Sequence, residues 1–122
     1  MTKPLAAALA VLLLAGCASD DAESMVKQTI AAMDETAQVL ATVKDEASAK
    51  AAVPRLKSLA EQRRKIEEKV ATVKTPPPEE QAELQKKYAA RLTEVSTRLV
   101  QEAMRVSQVP GGKAALDAMD GR

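Results

Sequence analysis

The sequence predicts an all-α fold, an antiparallel three-helix bundle behind a separate N-terminal segment, and three observations carry that prediction. Ala, Leu, Val, Lys, Glu and Gln dominate the chain, while the aromatic residues that favour strands are reduced to Tyr88. Apolar residues recur at spacings of three and four over three long stretches, the periodicity of a single helix face. The stretches are parted by KDEAS at 44–48 and TPPPEE at 75–80, which hold capping groups and helix-ending prolines. A chain of 122 residues forms one domain at most. With no Trp or Phe, its interior must be filled by Ala, Val, Leu, Ile and Met, so the core is expected to be thin and the stability modest.

Residues 1–16 begin with one positive charge at Lys3, continue as an apolar run from Leu5 to Leu14, and end in small residues. This is the order of a secretory signal peptide, and the run is shorter than the roughly 20 residues a bilayer-crossing helix needs. The segment is expected to form a transient signal helix and to be removed. Leu14, Ala15, Gly16 and Cys17, reading LAGC, resemble the lipobox of bacterial lipoproteins at all four positions. The resemblance implies that Leu14, Ala15 and Gly16 are recognised by the signal peptidase and that the chain is cut before Cys17. It also implies that the Cys17 thiol, whose thiolate is a strong nucleophile, carries a covalent lipid, with diacylglycerol and palmitate-type acyl chains as its expected parts. Two or more chains anchor stably where one does not. In that family the residue after the cysteine bears on sorting, and Ala18, in place of an aspartate, implies the periplasmic face of the outer membrane in a Gram-negative cell. The competing reading keeps Cys17 as an incidental small hydrophobe of an ordinary cleaved leader.

Residues 17–22 form a short tether. A helix over 23–44 is expected from Val26, Ile30, Met33, Ala37 and Leu40, with Asp20, Asp21 and Ser24 as capping groups. Asp45 and Ser48 then cap a second helix over 46–74, whose face holds Ala52, Leu56, Leu59, Ile66, Val70 and Val73, with Arg63 in the seam snorkelling its guanidinium to the edge. Pro54 predicts either a kink near Ala51 to Pro54 or a helix that starts only there. A third helix over 78–107 opens on Pro78 with Glu79 and Glu80 at its positive end. Its face is Leu84, Tyr88, Leu92, Val95, Leu99, Ala103 and Val106, and VPGG at 109–112 ends it. The tail, 110–122, is expected to hold a short helix over 113–119 that folds Leu116 and Met119 back on the bundle. Residues 20–44 hold five acids and two bases, a balance of −3, whereas 45–74 hold five acids and eight bases, a balance of +3. The third helix is neutral, so charge favours pairing of the first helix with the second. The stretch KDEASAKAAVPRLKSLAE, 44–61, resembles segments of small uncharacterised helical envelope proteins, a resemblance that implies no activity.

The chain has no histidine, the commonest general base and metal ligand, and its lone cysteine cannot form an internal disulfide or a cysteine-rich zinc site. No catalytic residue, no metal and no cofactor beyond the lipid on Cys17 is therefore expected. The acidic neighbours Asp34 and Glu35, Glu67 and Glu68, and Glu79 and Glu80 point about 100° apart on a helix, which spoils a shared site. Met25, Met33, Met104 and Met119 read as core filler before a copper site. The densest basic cluster, Arg63, Arg64 and Lys65, is a candidate contact for anionic lipid, lipopolysaccharide or cell-wall polymer. Nucleic acid is not expected: past the leader, seventeen bases meet seventeen acids and no aromatic platform exists. These readings converge on a non-enzymatic, lipid-anchored helical module with a self-associating or structural role at the membrane surface. The alternatives are a membrane-tethered adaptor or inhibitor of a periplasmic enzyme or transporter and, third, a hydrolase.

Overall fold

The computed structural model describes residues 22–121. The leader, the LAGC motif, Cys17 and Ala18 lie outside the described residues. Four helices make up the described fold: α1 Ala22–Ala41, α2 Glu46–Thr72, α3 Pro78–Val106 and α4 Gly112–Met119. The short C-terminal helix is thus present, one residue longer at its start than expected, and Ala22 belongs to α1 and not to the tether.

Local chemistry sets the boundaries. At the start of α2 the Asp45 carboxylate accepts from the Ser48 N–H at 2.8 Å while the Ser48 hydroxyl accepts from the Asp45 N–H at 3.0 Å, a reciprocal capping box. Helix α2 therefore begins at Glu46 and runs unbroken through Pro54, so a start delayed to Pro54 is excluded. Pro54 offers no N–H to the carbonyl of Lys50, but both residues are exposed and water can serve that oxygen. Helix α1 ends at Ala41, earlier than position 44. The N–H groups of Thr42 and Val43 turn back to the carbonyls of Val39 and Leu40, and Arg105 of α3 donates to the carbonyls of Leu40 at 2.8 Å and Val43 at 2.7 Å. A guanidinium thus satisfies carbonyls that a helix C-terminus leaves orphaned and places its charge at the negative end of α1. Helix α2 stops at Thr72 and α3 at Val106, each short of the expected end by one or two residues.

Pro78 is the first residue of α3, and the Gln81 side chain donates to the Pro76 carbonyl at 2.8 Å across the proline turn. At the other end of α3 the two glycines are structural. Gly111 has φ of 78°, a left-handed conformation that suits glycine. At Gly112 a Cβ would lie 1.9 Å from the Val106 carbonyl oxygen, so only glycine lets α4 start so close to the end of α3.

Helix α1 is the central element. It packs along α2 and along α3, and α4 lies on α2 with a lighter contact to α3; α2 and α3 share no interface of similar extent. Cross-helix partners fix the directions: Glu23, Asp34 and Leu40 of α1 meet Lys87, Arg98 and Arg105 of α3 in parallel order, whereas Glu35 meets Arg55 of an antiparallel α2. The expected mutual covering of three apolar stripes is thus only partly realised. One end is closed: Leu40, Val43, Ala49, Ala52, Leu56, Val106, Ala115 and Ala118 form the core, all within 5 % exposure. Toward the opposite end burial thins. Met25 and Ile30 of α1 remain buried, but Ile66 and Val73 are half-buried, and Val70 and Leu92 are 50 % and 39 % exposed. Of the four methionines read as core filler, Met104 is 67 % exposed and is not core. The one buried polar side chain among the described residues, Thr36, donates its hydroxyl to the Ala32 carbonyl at 2.7 Å. No described helix is long and apolar enough to cross a membrane.

Candidate functional site

The open end carries an apolar cleft of about 390 Å³, within the roughly 300–1,000 Å³ of small-molecule sites. Met25 and Val26 of α1, Val70 and Val73 of α2, Pro76 of the turn and Leu92 of α3 supply its aliphatic lining. Lys74, Thr75 and Gln81 supply its polar groups, and Ala22, the first described residue, lies in its wall. Periodicity places Val70, Val73 and Leu92 on the apolar seam, and the structure leaves that seam unsealed. In the register set by Glu23 with Lys87 and Asp34 with Arg98, Ala22 is level with Lys86, so the first two turns of α3 stand past the start of described α1. The cleft lies between the first two turns of α1, the end of α2 with the proline turn, and Gln81 and Leu92 of α3.

A polar knot holds the same end together. The Glu23 carboxylate accepts from Lys87 Nζ at 2.8 Å and from the Tyr88 hydroxyl at 2.7 Å. The Lys87 hydrogen bond, then that of Tyr88, holds the Glu23 carboxyl below the usual carboxylate range, and the same pairing raises Lys87. Lys87 also lies 5.5 Å from the Tyr88 ring centroid.

Charge does not pair the helices in the way composition implied. Glu35 of α1 meets Arg55 of α2 at 2.6 Å, but Glu23 goes to Lys87, and Asp34 meets Arg98 at 3.3 Å and Arg91 at 3.8 Å, all on neutral α3. Net charge per helix hides which face carries it. The same contacts show Asp34 and Glu35 turned toward different helices, as their 100° separation requires.

The structure divides the basic cluster: Arg63 and Arg64 border one concavity, and Lys65 faces another groove. Arg63 is half-buried and donates through Nη2 to the Met119 carbonyl at the C-terminal end of α4, while its Nε is buried with no hydrogen-bond partner among the described residues. Arg63 thus sits in the seam as the α2 pattern implies, but its guanidinium turns inward onto the end of α4 and does not snorkel fully to the edge. Arg64 is exposed and pairs with Glu61 and, at 3.4 Å, with Glu68; the Glu61 hydrogen bond raises the guanidinium further and lowers the Glu61 carboxyl. Lys65 lies in a shallow groove with Gln28, Ala32 and Ile66 between α1 and α2. A wider concavity of about 690 Å³ beside α4 places Lys57, Arg63 and Arg64 against Glu61, Glu67 and Asp120, a mixed field with no excess of either sign. Among the described residues, no three carboxylates or thiols are gathered as a metal ion would need.

Sequence reasoning missed the polar rim of the apolar cleft. Lys74 and Thr75 were legible only as the lead-in to a proline stop, and their placement depends on how the end of α2 and the proline turn pack against α1 and α3. No protein-family model, no curated protein sequence and no solved structure matches the chain, so the site rests on its own geometry.

Proposed function

We propose that this protein is a lipid-anchored, non-enzymatic helical module of the bacterial cell envelope, held by acylated Cys17 and working at the membrane surface, on the periplasmic face of the outer membrane in a Gram-negative cell. The LAGC motif directly behind an apolar run carries the reading. The described helices are compatible with it: α2 packs on α1 in the opposite direction to α1 and α3, and α1 begins five residues after Cys17. A tether of that length reaches about 17 Å, which keeps the open end of the bundle at the bilayer. The absence of enzymatic activity belongs to the proposal, and its support is that the sequence holds no histidine and that Glu23, Asp34 and Glu35 are each engaged by a base of another helix.

Intact-mass measurement of the protein extracted from membranes tests the anchor. The expected species starts at Cys17 with the added mass of a diacylglycerol and an amide-linked acyl chain, and a Cys17→Ser protein is expected to keep its leader and carry no lipid. An unmodified chain in the soluble fraction overturns the reading.

Val100 and Met104, 57 % and 67 % exposed and one turn apart on α3, favour an added role in association, with a second copy or with an envelope protein that the module adapts or inhibits. Melting temperature of the soluble Cys17→Ser mature domain that rises with concentration from micromolar to millimolar supports self-association. One stoichiometric foreign partner after crosslinking in membranes supports the adaptor instead.

A further inference from the structure

The apolar cleft opens at the end of the bundle where the chain enters α1, and its wall includes Ala22 itself. We propose that this cleft receives one acyl chain of the lipid on the protein's own Cys17, so that the module sheathes part of its anchor while the remaining chains hold the bilayer. The inference rests on the acylation of Cys17 proposed above.

Three observations argue for this occupant. Reach is the first: Cys17 lies five residues before Ala22, and an extended stretch of that length spans about 17 Å, so the cysteine is confined to the neighbourhood of the cleft. Chemistry is the second. Met25, Val26, Val70, Val73 and Leu92 offer an aliphatic lining with no aromatic plate and no carboxylate among the described residues, which suits a saturated chain. Lys74 and Thr75 at the rim offer donors for the ester or amide carbonyl at the head of that chain. Burial is the third. Val70 and Leu92 are the exposed large aliphatic residues of this end, and both face the cleft. An acyl chain there removes their surface from water, and its own methylenes leave water whether they enter the cleft or the bilayer. The chain's own burial is therefore close to balanced between cleft and bilayer, and the covering of Val70 and Leu92 favours the cleft.

The test uses the full chain. Cys17 is the only cysteine, so once it is acylated a Val70→Cys substitution creates the single free thiol. The lipidated Val70→Cys protein is placed in phospholipid nanodiscs, intact mass confirms the lipid, and the maleimide alkylation rate is compared with that of a Cys17→Ser, Val70→Cys protein. A Lys86→Cys protein, changed at the same end on an exposed position, controls for shielding by the bilayer. The expected result is alkylation at position 70 about tenfold or more slower in the lipidated protein, with position 86 unchanged, because a covered thiol reacts only when uncovered. Equal rates at position 70, or equal slowing at 70 and 86, overturn the proposal while leaving the lipid anchor intact. Slowing at position 70 that grows with protein concentration and occurs without the lipid assigns the cleft to a second copy and also overturns it. An unmodified Cys17 by mass overturns both the anchor and its sheath.

Discussion

The two ends of α1 are built from the same kinds of residue and end in different environments. At its C-terminal end Leu40 and Val43 are fully buried against Leu56, Val106, Ala115 and Ala118, and Arg105 closes the helix. At its N-terminal end Met25 is buried, but Val70 and Leu92 opposite it remain open and enclose a cleft. The difference lies in α4, whose Ala115 and Ala118 cover the first half of α2 and have no counterpart among the described residues at the other end. An apolar stripe with helical spacing is thus only an offer of burial, and a third wall decides whether it becomes core or binding surface.

Paired substitutions break this comparison most sharply. Leu56→Ala, at a fully buried position of the closed end, is expected to cost about 2–5 kcal/mol in chemical denaturation of the soluble domain, whereas Leu92→Ala, at the open end, costs about 1 kcal/mol or less. Equal losses would show that the two ends are packed alike. Gly112→Ala comes next. Its methyl group meets the Val106 carbonyl, so α4 must shift, and a loss of about 2 kcal/mol with weakened amide protection in 112–119 is expected. Arg105→Ala removes the bonds to the Leu40 carbonyl of α1 and the Val43 carbonyl just past it and is expected to cost on the order of 1.5 kcal/mol, with Arg105→Lys restoring only part because an ammonium lacks the fork.

The smallest effect concerns the knot at the open end. Because its folded carboxyl is held below the usual range, Glu23 contributes stability that is fully present above the unfolded value of about 4.3 and is lost as the pH falls through the lower folded value. Melting temperature between pH 6 and pH 3 is therefore expected to fall more steeply for the native protein than for Glu23→Gln. Parallel curves would mean that the Glu23 bonds to Lys87 and Tyr88 contribute nothing in solution.

Much of the helical layout was legible in the sequence because its signals are local. Asp45 with Ser48, the TPPPEE turn and the VPGG stop each act within a few residues, and the helix ends they imply agree with the structure to within three positions. Ala52, Leu56, Leu59, Val95 and Val106 were legible as core by spacing alone. Ile66, Val70, Val73, Leu84 and Leu92 share that spacing and are not fully buried, since coverage depends on the offset between helices and on α4, neither of which periodicity encodes. Helix charge balance misdirected the ion pairs for a related reason: Asp34 and Glu23 find bases on α3 by facing them, whatever the net charge of α2. The cleft was illegible because it arises where the first turns of α1, the end of α2, the proline turn and Leu92 of α3 meet without closing, a three-dimensional property with no motif.

Amide hydrogen exchange, read residue by residue on the soluble domain, tests the division into a closed and an open end most directly. Protection in 40–59 and 103–118 is expected to exceed that in 66–73 and 80–92 by about tenfold or more, because cooperative opening spares the core. Uniform protection along α2 and α3, or greater protection beside the proline turn, would contradict it.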